Sequence, residues 1–175
     1  MTTLAVTVLL GVGAALAMGF VEHRSARRLR DLVAVVLGLG LLFAVLVRLF
    51  EGPPEPELAR AGLPFAALVA VCGGNLITKA VFGRVDGTDS AAARSALPGG
   101  AWIGALERFA VFVCLVAGIP DGIVVVLVVK GLGRYPELRI DEARTDASGA
   151  GERFIIGTLV SLTWAAGAAY LPLRT

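Results

Sequence analysis

Long apolar runs separated by charged stretches set the plan of this chain. Six can be drawn, over residues 4–21, 32–50, 61–79, 100–118, 119–133 and 154–172. Apolar residues are continuous within each run rather than alternating. That pattern predicts helix, and the runs are too long for the roughly ten-residue strands of a membrane barrel. A helix that crosses a bilayer needs about 20 mainly apolar residues, within a range of roughly 17–25. The first, third and sixth runs meet this directly. The second meets it if Arg48 snorkels its guanidinium to the interface past Leu49 and Phe50. The fourth and fifth are short or interrupted by charge. Between them, Gly118-Ile119-Pro120-Asp121-Gly122 is a strong turn signal that predicts a tight antiparallel hairpin. The reading is an all-α integral membrane bundle of six transmembrane helices, with residues 1–175 forming a single transmembrane domain.

Composition supports this. Hydrophobic residues make up 57% of the chain, and the mean hydropathy is +0.81. A soluble domain of 175 residues has too little interior to hide so much apolar surface, whereas a bilayer accepts it on every outward face. Charge then orients the bundle. When the gaps between runs are labelled alternately, one set holds Arg24, Arg27, Arg28, Arg30, Lys79, Arg84, Arg94, Lys130, Arg134, Arg139, Arg144 and Arg153, which is 12 of the 16 basic residues. The other set holds only Arg48, Arg60 and Arg174, and Arg108 lies within a run. Short cytoplasmic loops carry excess Lys and Arg, so this partition predicts both termini outside. The first run has no Lys or Arg before Glu22. It lacks the basic leader of a signal peptide and is expected to be retained as a span.

Between the runs, Glu22–Asp31 and Gly83–Pro98 read as inner loops, the second with a short surface helix over Ala91–Ala96. Pro53, Pro54 and Pro56 make Glu51–Arg60 a non-helical outer loop. Gly73-Gly74-Asn75 reads as the close of the third run, and Arg134–Glu152 as a polar inner loop. Gly11, Ala15 and Gly19 form a small-residue stripe that lets another helix approach, within the bundle or in a homo-oligomer. A weak internal echo joins Arg30-Asp31-Leu32, Glu107-Arg108-Phe109 and Glu152-Arg153-Phe154, as a duplicated hairpin would.

The residues that need explaining are charges inside the runs. Glu107 and Arg108 sit seven and eight residues into the fourth run, about 10–12 Å at 1.5 Å per residue. Glu107 is 11 residues before Gly118, and Lys130 is 11 residues after Ile119. Across a tight hairpin, equal distance from the turn means equal depth, so the two are expected to pair. Arg134 lies one turn beyond Lys130, and Asn75 with Lys79 repeats that spacing on the third run. On the sixth run Gly157 and Ser161 form a contact stripe, with Thr158 adding a hydroxyl, while Glu152 and Arg153 mark its entrance. An ionised group in hydrocarbon costs about 2.5–3.5 kcal/mol even on the mildest scales, and pairing offsets much of that. Two readings follow. The cluster either locks the hairpin structurally or binds an ion or an anionic headgroup from the cytoplasm.

Three motifs extend the picture. Gly100-Ala-Trp-Ile-Gly-Ala-Leu-Glu107-Arg108, Lys130-Gly-Leu-Gly-Arg134-Tyr-Pro-Glu137-Leu138 and Ile156-Gly157-Thr158-Leu159-Val-Ser161 follow one another in that order. The region 100–161 resembles the C-terminal membrane part of an uncharacterised bacterial membrane-protein family, a domain of unknown function. Its pattern runs G-x-x-I-G-x-L-E-R, K-x-x-x-R-x-x-E-L and I-G-T-L-x-S. The family usually has Ala-Lys-Ser where this chain has Val129-Lys130-Gly131. The resemblance implies a multi-pass protein of the bacterial inner membrane and no established activity.

Other chemistry is thinly represented. Zincin, nucleophile-elbow and P-loop motifs are missing, so no catalytic residue can be named. Asp86 and Asp89 read as a turn. His23 is the single histidine, so no His-based metal site can form within one chain, and no metal or cofactor is expected. Cys72 and Cys114 fall mid-run and read as small apolar residues without a disulfide. Nothing suggests nucleic acid. Arg27-Arg28-Leu29-Arg30 would orient the chain and could touch anionic lipid. The expected partner is the bilayer itself, with an anionic lipid or small anion as ligand. The expected function is binding or transport of such a ligand. The alternatives are a non-catalytic structural or partner-binding subunit, and a membrane enzyme acting on a lipid phosphate.

Overall fold

A computed structural model describes residues 1–23, 27–85, 100–142 and 150–173. Among these residues the fold is all-helical. Helix α1 covers Thr2–His23 and α2 covers Arg27–Glu51. Helix α3, Pro56–Leu68, passes through a π-helical turn at Val69–Gly73 into α4, Gly74–Val85, so that the three form one rod. Helices α5, α6 and α7 follow at Gly100–Val116, Asp121–Glu142 and Ala150–Tyr170. The stretches Thr2–Gly19, Arg28–Glu51 and Pro56–Gly83 are each long and apolar enough to cross a membrane, while the apolar stretch of α7, Phe154–Tyr170, is shorter.

The helices outrun several of their expected limits. Pro56 does not interrupt a loop but opens α3, because proline at the first helical position needs no amide hydrogen. Gly73 and Gly74 do not close the third run, since the π turn carries the rod past them. Helix α6 continues beyond Gly133 to Glu142, into the first half of the expected polar loop 134–152. Both neighbouring helices run into the expected loop 22–31, since α1 reaches His23 and α2 starts at Arg27. The expected helix over 91–96 lies outside the described residues.

Two glycines with positive φ stop helices. Gly118, at φ 71°, follows α5. The Ile119 amide donates to the Cys114 carbonyl at 2.8 Å and the Gly118 amide to that of Leu115 at 3.1 Å, a Schellman close. Gly52, at φ 77°, ends α2 with its amide on the Arg48 carbonyl at 3.1 Å.

Successive rods reverse direction. Thr3 Oγ1 donates to Glu51 at 2.8 Å, so the start of α1 meets the end of α2. Arg48 donates to the Leu173 carbonyl at 2.5 Å, which brings the end of α7 to that same end of the bundle. At the opposite end the Arg30 guanidinium lies against Gly83 of α4. The start of α2 and the end of α4 therefore meet at that end of the bundle.

Packing is inverted relative to a soluble protein. Among the described residues, ten of the nineteen buried apolar ones are alanine, while Leu39, Phe43, Leu106, Val125, Val129 and Leu159 face outward. With apolar solvent outside, small residues inside let helix backbones approach, and dispersion contacts replace the hydrophobic effect between helices. Gly11 illustrates this. A Cβ there would lie 2.6 Å from the Phe65 carbonyl oxygen, so α1 and α3 meet backbone to backbone. Gly19 has nothing within 4 Å, so the expected Gly11-Ala15-Gly19 stripe is used at its first glycine and not at its last. Cys72 and Cys114 are free thiols.

Arg48 departs from expectation. It is 3% exposed and does not snorkel outward. On α2 the buried residues are Ala34, Leu37, Leu41, Ala44 and Arg48, spaced three and four apart. Helical register therefore points Arg48 into the bundle, where its guanidinium lies 5.4 Å from the centre of the Tyr170 ring.

Candidate functional site

The site lies between α5, α6 and α7. The Gly118–Gly122 turn folds α6 back along α5, with Gly122 close against Cys114. Eleven residues before Gly118 and eleven after Ile119, Glu107 and Lys130 meet in a direct ion pair. Their side chains keep 17% and 19% exposure, so the pair is reachable from outside the protein. Lys130 also sits 5.9 Å from the centre of the Phe154 ring on α7.

Arg108 is buried more deeply, at 4% exposed. It shares the inward face of α5 with Val111 and Phe112. Its aliphatic stem packs directly on Gly74, leaving no space there for a Cβ. Its Nη1 donates to Ser161 Oγ at a long 3.4 Å, and its Nε has no hydrogen-bond partner. Thr158 lies one turn before Ser161 on α7, and its hydroxyl is also buried without a partner. These groups surround a cavity lined by Glu107, Arg108, Val111, Lys130, Thr158 and Ser161 among others. The cavity volume is about 10 Å³, room for a single water. Glu107 contributes one negative charge, and Arg108 and Lys130 one positive charge each, so these three groups sum to +1.

Behind Arg108 stands a second layer. The Trp164 indole donates to the Val69 carbonyl at 2.7 Å and packs on Gly73, where a Cβ would lie 2.7 Å from the ring. A π turn exposes backbone that a regular helix would occupy, and such turns recur at functional sites. Here the turn and its two glycines form the floor on which Arg108 and Trp164 lie. These residues went unread in the sequence. Gly-Gly signals a helix end locally, and only the approach of α5 and α7 reveals a contact surface.

Of the ten expected site residues, the structure brings together Glu107, Arg108, Lys130, Thr158 and Ser161. Asn75 and Lys79, on α4, do not line the cavity. Glu152 is exposed in the first turn of α7, also away from it. Arg134 and Arg153 lie on α6 and α7, but their side chains are outside the described residues. Among the described residues no cluster of three or more His, Cys, Asp or Glu side chains could hold a metal. No family model, no curated protein and no solved structure matches this chain.

Proposed function

We propose that this chain is a six-span protein of a bacterial inner membrane, with both termini outside, that binds or transports a small anion at the Arg108 cluster. The observation that carries the reading is the condition of Arg108. A guanidinium stays protonated in proteins, and this one is 4% exposed with a single long hydrogen bond to a neutral hydroxyl. A buried charge normally needs a partner of opposite sign. Among the described residues the only carboxylate lining the cavity, Glu107, is hydrogen-bonded to Lys130. A net +1 centre with unfilled donors favours an anion over a metal cation.

Six spans and outside termini are supported by the reversal of successive described rods and by the excess of Lys and Arg in alternate gaps of the sequence. The family resemblance rests on its three motifs and supports the bacterial membrane setting. Cysteines introduced singly at Thr88 and Glu55 test the topology. Membrane-impermeant labelling from outside should reach the Glu55 site and spare the Thr88 site, and labelling of both would sink the six-span reading. For the ligand, the purified protein should be stabilised saturably by at least one of chloride, phosphate or acetate at constant ionic strength, and Arg108→Gln should abolish the effect.

A second reading has its own observation. The Glu107–Lys130 pair is direct, and the cavity holds no more than a water. Both fit a structural clamp on the hairpin in a non-catalytic membrane subunit. Under that reading no anion stabilises the parent protein. The residues that line the cavity offer nothing specific to the third possibility, an enzyme acting on a lipid phosphate.

A further inference from the structure

The site's donors say more than that an anion binds. We infer that the ligand is a phosphate-type oxyanion, admitted when α6 swings on the Gly118–Gly122 turn and Lys130 exchanges Glu107 for a ligand oxygen. This rests on the anion reading above and names its ligand class and gate.

The guanidinium of Arg108 offers its side-on fork, Nε with Nη2, of which Nε has no hydrogen-bond partner, while Nη1 on the other side is held only at 3.4 Å. A guanidinium is a planar fork whose spacing matches two oxygens of a phosphate or carboxylate. Thr158 and Ser161, three residues apart on one face of α7, add two hydroxyls, one of them without a partner. Lys130 brings an ammonium with three donors, one of them bonded to Glu107. Fork, hydroxyls and ammonium approach from three different helices. A halide has one atom and cannot engage a fork bidentately. A carboxylate has two oxygens, which the fork alone would occupy. A phosphate group has further oxygens for the hydroxyls and the ammonium.

Size then requires movement. A cavity of about 10 Å³ admits one water and no phosphate. Its α5 wall is fixed by Arg108 lying on Gly74, and its α7 wall by Trp164 bonded to Val69. Helix α6 packs mainly on α5 and α7, and Val124, Val125, Val128, Val129 and Leu132 are all more than half exposed. It joins α5 through a turn with a positive-φ glycine, and the Glu107–Lys130 pair latches it further along. The latch residue is itself one of the donors, so binding and release share one group.

The test uses the full chain in phosphatidylcholine nanodiscs, with inorganic phosphate, chloride and acetate compared at equal ionic strength. Spin labels at Val128 on α6 and Leu159 on α7, both exposed, report the gate. We expect phosphate to raise the melting temperature saturably, and chloride and acetate to bind at least about tenfold more weakly. Arg108→Lys keeps the charge, loses the fork and should cost tenfold or more. Thr158→Val and Ser161→Ala keep the charge unchanged and should each weaken phosphate several-fold, which leaves the inference testable if Arg108→Lys does not fold. Saturating phosphate should change the label distance. Adding phosphatidic acid to the disc distinguishes the sources. Competition with free phosphate identifies a lipid headgroup, and its lack identifies the soluble ion. Equal binding of all three anions would overturn the phosphate assignment and leave the anion reading standing. An unchanged label distance at saturation would overturn the gate. No binding of any anion would sink the anion reading itself.

Discussion

Glu107 is the negative charge among the polar groups that line the cavity, and its removal leaves Arg108 and Lys130 facing each other without a counter-charge. Deleting one partner of a buried pair costs about 3–5 kcal/mol, more than replacing both. Since this pair keeps some exposure, we expect Glu107→Gln to cost near the low end, about 3 kcal/mol. Adding Lys130→Met should recover part of it. Melting temperatures of the single and double variants in detergent check this, and a single variant as stable as the parent would remove the pair from the centre of the site. Gly74 is the second residue to test. A Cβ there would occupy the place of the Arg108 stem, so Gly74→Ala should displace the guanidinium, cost about 1–3 kcal/mol as an overpacked contact and abolish anion stabilisation. The pairing of Glu107 with Lys130 was legible from residue counting alone, because a tight turn fixes the register of both arms. The role of Gly74 was not, because its partner is 34 positions away.

Among the elements, the rod from Pro56 to Val85 holds most of the departures from sequence expectation. Pro64 lies inside α3 and removes the amide that would bond the Arg60 carbonyl. The π turn follows one turn later. Trp164 Nε1 bonds the Val69 carbonyl at the start of that turn. Trp164→Phe keeps the ring packing on Gly73 and leaves a buried carbonyl without its donor. We expect a loss of about 1–3 kcal/mol, with faster amide exchange concentrated at Val69–Gly74. Exchange spread evenly over the rod would show that the indole does not hold the turn. Proline and glycine in a sequence usually read as breaks. Here neighbouring helices stabilise what the local chain would not, so the break became a bend in a continuous rod.

For the molecule as a whole, Arg48 ties the two ends of the chain together. Its guanidinium joins α2 to the Leu173 carbonyl and the Tyr170 ring, beside the Thr3–Glu51 bond that holds the start of α1. Replacing it with methionine removes a charged donor to a buried carbonyl. We expect Arg48→Met to destabilise the fold by about 1.5–3 kcal/mol and to speed proteolysis at the C-terminal end. Unchanged cleavage there would show that Arg48 packs without anchoring. The proposed anion site should be unaffected, because Arg48, Tyr170 and Leu173 are not among the residues that line its cavity.

Hydrophobic runs and turn residues determined the all-helical class, the α5–α6 hairpin and the level at which Glu107 meets Lys130. Each of these depends on spacing along one stretch of chain, and helical period and turn geometry convert spacing into position. Only the tertiary structure decided that Arg48 and Arg108 are interior, that Gly73 and Gly74 form a floor, and that Thr158 and Ser161 close a cavity while Asn75, Lys79 and Glu152 stand apart from it. Those outcomes depend on contacts between Arg48 and Leu173, Val69 and Trp164, Gly74 and Arg108, and Arg108 and Ser161. Periodicity says which face of a helix is inward but not which helix it meets, and a buried charge is explained by its neighbour rather than by its own position in the chain.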